Sequence, residues 1–157
     1  MVRVLFVCLG NICRSPMAEA VFRDYVAREG LNDKIEVDSA GTGNWHVGNP
    51  PHEGTSTLLK EKGISTEGMK ARQIIQEDGE KFDYIIAMDS QNLKDLRKVI
   101  AEKEGSVVTL FLDLVENAPF KDVPDPYFTG NFDEVYDLVT QGCEALLERI
   151  KKEKSLL

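Results

Sequence analysis

The chain is poor in cysteine, in cations and in long apolar runs. Three cysteines in 157 residues, an odd number with no secretory leader ahead of them, do not make a disulfide framework and point to a reducing compartment. The expected location is cytoplasmic. The apolar stretch at residues 2–7 is too short for a signal core or a membrane span. Lys and Arg number 19 against 27 Asp and Glu, a net charge of −8. The one basic cluster, residues 149–154, falls at a predicted helix C-terminus, where it complements the helix dipole. Nucleic acid and anionic membrane are therefore excluded as partners. Only two histidines occur, His46 and His52, and His46, in a Gly/Asn loop, has no second ligand at metal spacing. It reads as a solvated loop residue, and neither metal nor cofactor is expected. There are no repeats and no low-complexity tracts.

What remains is an ordinary soluble profile, 42% hydrophobic and 29% charged, and a length that suggests one domain over residues 1–157. A domain of this size buries roughly 70% of its unfolded surface. Apolar segments alternate with helix-patterned ones. Short strands are expected at residues 2–7, 35–40, 84–88 and 107–112. Helices are expected from about residue 15 to Gly30, from about 51 to 62, after a cap at Asp89 with Leu93, Leu96 and Ile100 facing inward, and from about 131 to 154. The last helix carries Val135, Leu138, Val139, Leu146 and Ile150 at helical spacing. Residues 41–51 read as a surface loop, and residues 117–130 have little regular pattern. Alternation of this kind implies an α/β fold with a parallel twisted sheet and helices on both faces. Ligands of such folds sit at the carboxyl ends of the strands.

The first strand ends on Cys8. Leu9, Gly10, Asn11, Ile12 and Cys13 follow, and then Arg14, Ser15 and Pro16. Ser15 suits a helix N-cap and Pro16 the first helical turn. A strand, a tight loop and a helix N-terminus thus surround one thiol and one guanidinium. Such a loop aims backbone N–H groups at one point and binds a dianion such as phosphate. Arg14 can grip two of its oxygens in a planar fork. The same field favours a thiolate at Cys8, and a thiolate in a phosphate cradle means covalent phosphoryl transfer to sulfur. The chain supplies its own control: Cys143 and Arg149 have the same spacing, but helix formers lie between them and Ile150 follows. Cys143 is read as a helix residue near the core.

Cleaving a phosphate ester also needs a general acid. Asp125 stands between Pro124 and Pro126, with Tyr127 and Phe128 next. The prolines stiffen its backbone, and aromatic walls desolvate a carboxyl and raise its pKa. Trp45, costly to leave exposed in its loop, is expected to line the cleft.

Residues 8–16, Asp38-Ser39, Trp45, Lys70-Ala-Arg-Gln73, Phe82-Asp83-Tyr84, Met88-Asp89 and Asp125-Pro-Tyr127 resemble the low-molecular-weight protein tyrosine phosphatases, in order and over nearly the whole chain. The resemblance implies a four-stranded parallel sheet flanked by helices and metal-free hydrolysis of aryl phosphates such as phosphotyrosine. It implies Cys8 as nucleophile, Arg14 as phosphate clamp, and Asp125 as general acid and then base. Residues 9–14 would bind the phosphate, and inorganic phosphate would be product and inhibitor. Ser15 would donate to the thiolate, and the strained backbone of Asn11 would hold the loop's shape. Leu9, Ile12, Trp45, Tyr127 and Phe128 would take the aromatic ring, and Cys13 would shield Cys8 as a disulfide. Vertebrate members place a histidine where this chain has Glu67-Gly68-Met69, which leaves Ser39 alone, or water, to support Asn11.

Three rivals share parts of this pattern. Arsenate reductases on this fold need two further cysteines, and residues 79–96 have none. Related arginine phosphatases carry threonine at the position of Ile12, whose apolar side chain suits a flat ring better. A phosphate-binding module without turnover would have no use for Cys8, Arg14 and Asp125 together.

Overall fold

The N-terminal apolar run is buried on both sides because it forms an inner strand. In the computed structural model, which describes residues 1–156, β1 (Val2–Cys8) lies between β2 (Ile35–Gly41) and β3 (Tyr84–Ala87), with β4 (Val107–Leu110) outside β3. The order β2-β1-β3-β4 is parallel throughout, and β1 pairs along its whole length with β2, from Val2↔Ile35 to Cys8↔Gly41. Alternate β1 side chains divide between two cores. Val4 and Phe6 pack with α1 (Arg14–Arg28), α2 (Glu53–Glu61) and α6 (Phe132–Glu153), while Leu5 and Val7 join Ile85, Leu96 and Ile100 on the face carrying α3 (Asp78–Lys81) and α4 (Ser90–Arg97). Each fully buried side chain of this size contributes about 1.5–3 kcal/mol. The ring of Phe6 meets Phe22 and Phe111 edge-on, at centroid distances of 5.7 and 6.0 Å.

This is the expected α/β architecture, with differences at the ends of elements. α1 begins at Arg14 with Cys13 in the N-cap position and no side-chain cap. The Ser15 hydroxyl lies 2.9 Å from Cys8 Sγ instead of capping the helix. α4 stops at Arg97, so Ile100 reaches the core from a turn. The fourth strand gives way at Phe111 to a 3₁₀ turn (Phe111–Leu114), and a short helix, α5 (Pro126–Thr129), interrupts the patternless segment. Asp89 does cap α4, accepting from Asn92 N–H at 2.7 Å. Cys143 is buried in α6, and its thiol donates to the Ala18 carbonyl. Among the described residues no helix is long and apolar enough to cross a membrane.

Strands leave β1 toward β2 on one side and toward β3 on the other. The crevice at this switch point opens at the carboxyl end of β1, the position of Cys8.

Candidate active site

Why the 8–14 loop offers N–H groups to its centre follows from where its carbonyls go. The Cys8 carbonyl accepts from Thr42 N–H, Leu9 from Gly43 N–H, Ile12 from His52 N–H, and Cys13 from Met17 N–H and the Thr55 hydroxyl. With the carbonyls tied outward, the peptide N–H dipoles turn inward, and Asn11 N–H points at Cys8 Sγ from 3.2 Å. The β2 end approaches closely: a Cβ at Gly41 would sit 2.8 Å from the Leu9 carbonyl oxygen, so only glycine fits there.

Asn11 holds the loop's shape at φ 58°, a left-handed conformation that asparagine tolerates best after glycine. Its buried amide donates to Ser15 Oγ at 2.8 Å and to Ser39 Oγ at 2.9 Å, and its Oδ1 accepts from Arg72 N–H at 3.0 Å. Support from Ser39 alone, or from water, is therefore corrected: Ser15 and the Arg72 peptide share the task. Behind them the Ser39 hydroxyl donates to the buried Glu19, which pairs with Arg23. Arg72 is fixed by Asp38 and Asp78. Burial opposes its charge, but the two carboxylates outweigh that and raise its pKa. A carboxylate and a clamped backbone thus stand behind Asn11. Asn11 itself faces this network and does not line the cleft, unlike the other loop residues grouped with it.

Arg14 is buried, at 2% exposure. One nitrogen donates to Asp89 Oδ2 at 2.6 Å and to the Val123 carbonyl at 3.0 Å, and the other reaches Asp125 Oδ2 at 3.3 Å. Burial works against the guanidinium charge, but Cys8, Asp89 and Asp125 together raise its pKa. Asp125 also caps α5, its other oxygen accepting from Tyr127 N–H, so one carboxylate fixes both Arg14 and the helix bearing Tyr127 and Phe128. Cys13 behaves differently. Its thiol is pushed up to about 12, first by burial and then by Cys8 and Asp125.

Cys8, Leu9, Gly10, Ile12, Cys13, Arg14, Trp45, Asp125, Tyr127 and Phe128 meet in one cleft of about 110 Å³. Ser15 and Ser39 lie beneath it. Trp45 is on the rim but 69% exposed, its ring laid across Gly43. The tryptophan lines the cleft without being buried by it. Two residues of the site were missed. Asp89 was legible as a helix cap and as part of the family pattern, but not as a partner of Arg14; its carboxylate does both jobs with separate oxygens. His46, expected in solvent, is half-buried in the cleft wall.

The Low molecular weight phosphotyrosine protein phosphatase family profile matches residues 3–156. The chain is 58% identical over 156 residues to the low molecular weight protein-tyrosine-phosphatase YfkJ of Bacillus subtilis, covering 99% of this chain and all of that one. The YfkJ crystal structure superposes with a TM-score of 0.94, covering 98% of this chain and 97% of that one. A PtpA phosphatase of Staphylococcus saprophyticus is 45% identical over 158 residues, covering 99% and 98% of the two chains. A Drosophila protein described as an arginine phosphatase is 34% identical, with a TM-score of 0.85 over 94% of this chain and 97% of that one.

Proposed function

The chain belongs to the low molecular weight phosphotyrosine protein phosphatase family, whose members hydrolyse phosphoric monoesters, and from that premise we propose that it dephosphorylates phosphotyrosine and other aryl phosphates through a cysteinyl-phosphate. The observation that carries this reading is the placement of Cys8 Sγ in the cleft, 3.2 Å from Asn11 N–H and 2.9 Å from the Ser15 hydroxyl, with Arg14 and Asp125 side by side at 3.3 Å.

The Cys8 thiolate attacks phosphorus in line, and the bond to the phenolic oxygen breaks as that oxygen takes the proton from Asp125. Arg14 and the loop N–H groups hold the equatorial oxygens, where charge is spread in the transition state. The Ser15 hydroxyl, 2.9 Å from Sγ, stabilises sulfur as leaving group in the second step. There Asp125 takes a proton from water, water oxygen bonds phosphorus, and phosphate leaves. Leu9, Ile12, Trp45, Tyr127 and Phe128 wall the ring. Cys13 serves as a redox partner. Peroxide oxidises Cys8 to the sulfenic acid, and the Cys13 sulfur then forms a disulfide with release of water. Activity lost to peroxide should return with a thiol reductant in the wild type and not in Cys13→Ser.

The test of the main reading is para-nitrophenyl phosphate hydrolysis at mildly acid pH, in chelator and reductant. Wild-type turnover that vanishes in Cys8→Ser is the expected result, and equal turnover in both proteins would overturn the assignment. The arginine phosphatase relative keeps phosphoarginine as a second reading. Ile12, apolar and nearly buried in the cleft, ranks phosphotyrosine first, and a competition between the two phosphoamino acids decides.

A further inference from the structure

Tyr127 walls the cleft from α5, a helix of four residues, and is 54% exposed. A single helical turn has no stability of its own, so the placing of this ring depends on what lies outside α5. His52 stands edge-on to it, at a centroid distance of 6.0 Å and an angle of 77°, and is not itself among the residues that line the cleft. The His52 N–H donates to the Ile12 carbonyl of the 8–14 loop at 2.7 Å. Its Nδ1 accepts from Gly54 N–H at 3.0 Å, which caps α2 and fixes the rotation of the ring. The imidazole stacks on Phe132, at 5.2 Å and 22°. Phe132 opens α6 and packs on Ile12, Cys13 and Ala71 behind the loop. A Cβ at Gly54 would collide with the Phe132 ring, so the glycine in the first turn of α2 is what lets the stack close.

Resting on the reading of the cleft as an aryl phosphate site, we propose that His52 is a positioning residue for substrate choice: its imidazole, held between Phe132 of α6 and Tyr127 of α5, braces the tyrosine wall and so sets the preference of the cleft for aromatic over aliphatic phosphates. It acts from outside, through Tyr127, and touches neither the phosphoryl group nor the substrate ring. Its three tasks fall to different atoms. The backbone N–H holds the loop carbonyl, Nδ1 caps α2, and the ring makes the brace. Substitutions can therefore separate them. Edge-to-face and stacked ring pairs carry energy beyond the area they bury, equivalent to about threefold to tenfold in an equilibrium constant.

The experiment measures the binding of phenylphosphonate and of methylphosphonate to the whole protein by calorimetry. The two share a head group and differ in what the wall must take, so the ratio of their affinities reports the wall, and the contribution of Arg14 and the loop cancels. His52→Asn removes the ring and keeps a capping side chain. Its phenyl-to-methyl ratio should be about threefold to tenfold lower than that of wild type, with methylphosphonate affinity unchanged. His52→Phe loses the cap and keeps a ring, and its ratio should return close to the wild-type value even where its melting temperature falls. An unchanged ratio in His52→Asn would overturn the proposal. Equal weakening of both ligands would overturn it too, by placing the effect on the 8–14 loop, as would a ratio in His52→Phe as low as in His52→Asn. A wild type that binds both ligands alike would sink the aryl reading of the cleft and this proposal with it. The expected ratios in a protein that fails to hydrolyse para-nitrophenyl phosphate would sink the catalytic reading and leave the brace standing.

Discussion

The Asp125 side chain holds two posts at once. One oxygen caps α5 and the other rests on Arg14, so the proton donor of the proposed reaction is parked on the group that must grip phosphate. A dianion entering the loop competes with Asp125 for Arg14 and, in winning, frees the carboxyl to take a proton. Asp125→Asn should therefore separate two effects. The amide has no acid proton, so kcat for an aryl phosphate should fall by about 10²–10⁴. The amide also carries no charge to compete for Arg14, so inorganic phosphate should inhibit the variant at lower concentration than it inhibits wild type. Steady-state kinetics with phosphate as competitive inhibitor reads both. Unchanged kcat would remove Asp125 from the mechanism. Weaker phosphate inhibition would mean that the carboxylate is needed to hold Arg14 in place. The cap itself survives the change, since asparagine caps as well as aspartate.

Elements are joined at their entry edges by a second carboxylate. Asp83, just before β3, accepts from Arg3 N–H at 2.8 Å and from Lys103 Nζ at 2.7 Å, tying the starts of β1 and β3 to the segment that leads into β4. Burial alone would raise the Asp83 carboxyl, but the bonds from Lys103 and Arg3 outweigh it and hold its pKa below the ordinary value. A carboxylate depressed in the folded state stabilises the fold above its unfolded pKa, about 3.9, and loses that contribution as pH falls through the folded value. Asp83→Asn should cost about 1 kcal/mol near neutral pH, and the gap to wild type should close as acid unfolding is followed below about pH 4. A gap independent of pH in denaturant titrations would mean packing and not charge. This tie was visible in the sequence only as part of a family resemblance, because nothing local marks an aspartate that works across 80 residues. The elements themselves were legible because their signals are local. The periodicity of α6 puts a helix over about residues 131–154, and the helix runs Phe132–Glu153 with Asn131 and Lys154 as its caps. The misplaced cap at Ser15 and the missed α5 both belong to segments that serve the cleft: the Ser15 hydroxyl is taken up by Cys8 and Asn11 of the loop, and Asp125 at the head of α5 turns one oxygen to Arg14, 111 residues away.

At the scale of the whole molecule, the strand order explains why so much of the site could be read from sixteen residues. A parallel sheet with its switch point beside β1 gathers whatever follows that strand into the crevice, and in this chain a thiol, a loop and a helix start follow it. What could not be read is what other elements bring to that crevice: Asp89 beneath Arg14, the Arg72 peptide on Asn11, and His46 over Gly10. The same scale sets a tension in electrostatics. The chain carries a net charge of −8, so a phosphate dianion approaching from bulk water is repelled until it nears the cleft, where fixed N–H groups and Arg14 attract it. Raising a monovalent salt from about 10 to about 150 mM shortens the screening length from about 30 to about 8 Å. The long-range repulsion is then screened, while the buried attraction at Arg14 is screened much less. Catalytic efficiency toward para-nitrophenyl phosphate should accordingly rise, about twofold, over that range. A fall instead would mean that the local positive field of the cleft reaches beyond its mouth and governs approach. In that case a neutralising substitution at the rim, and not the overall charge, would set the salt dependence.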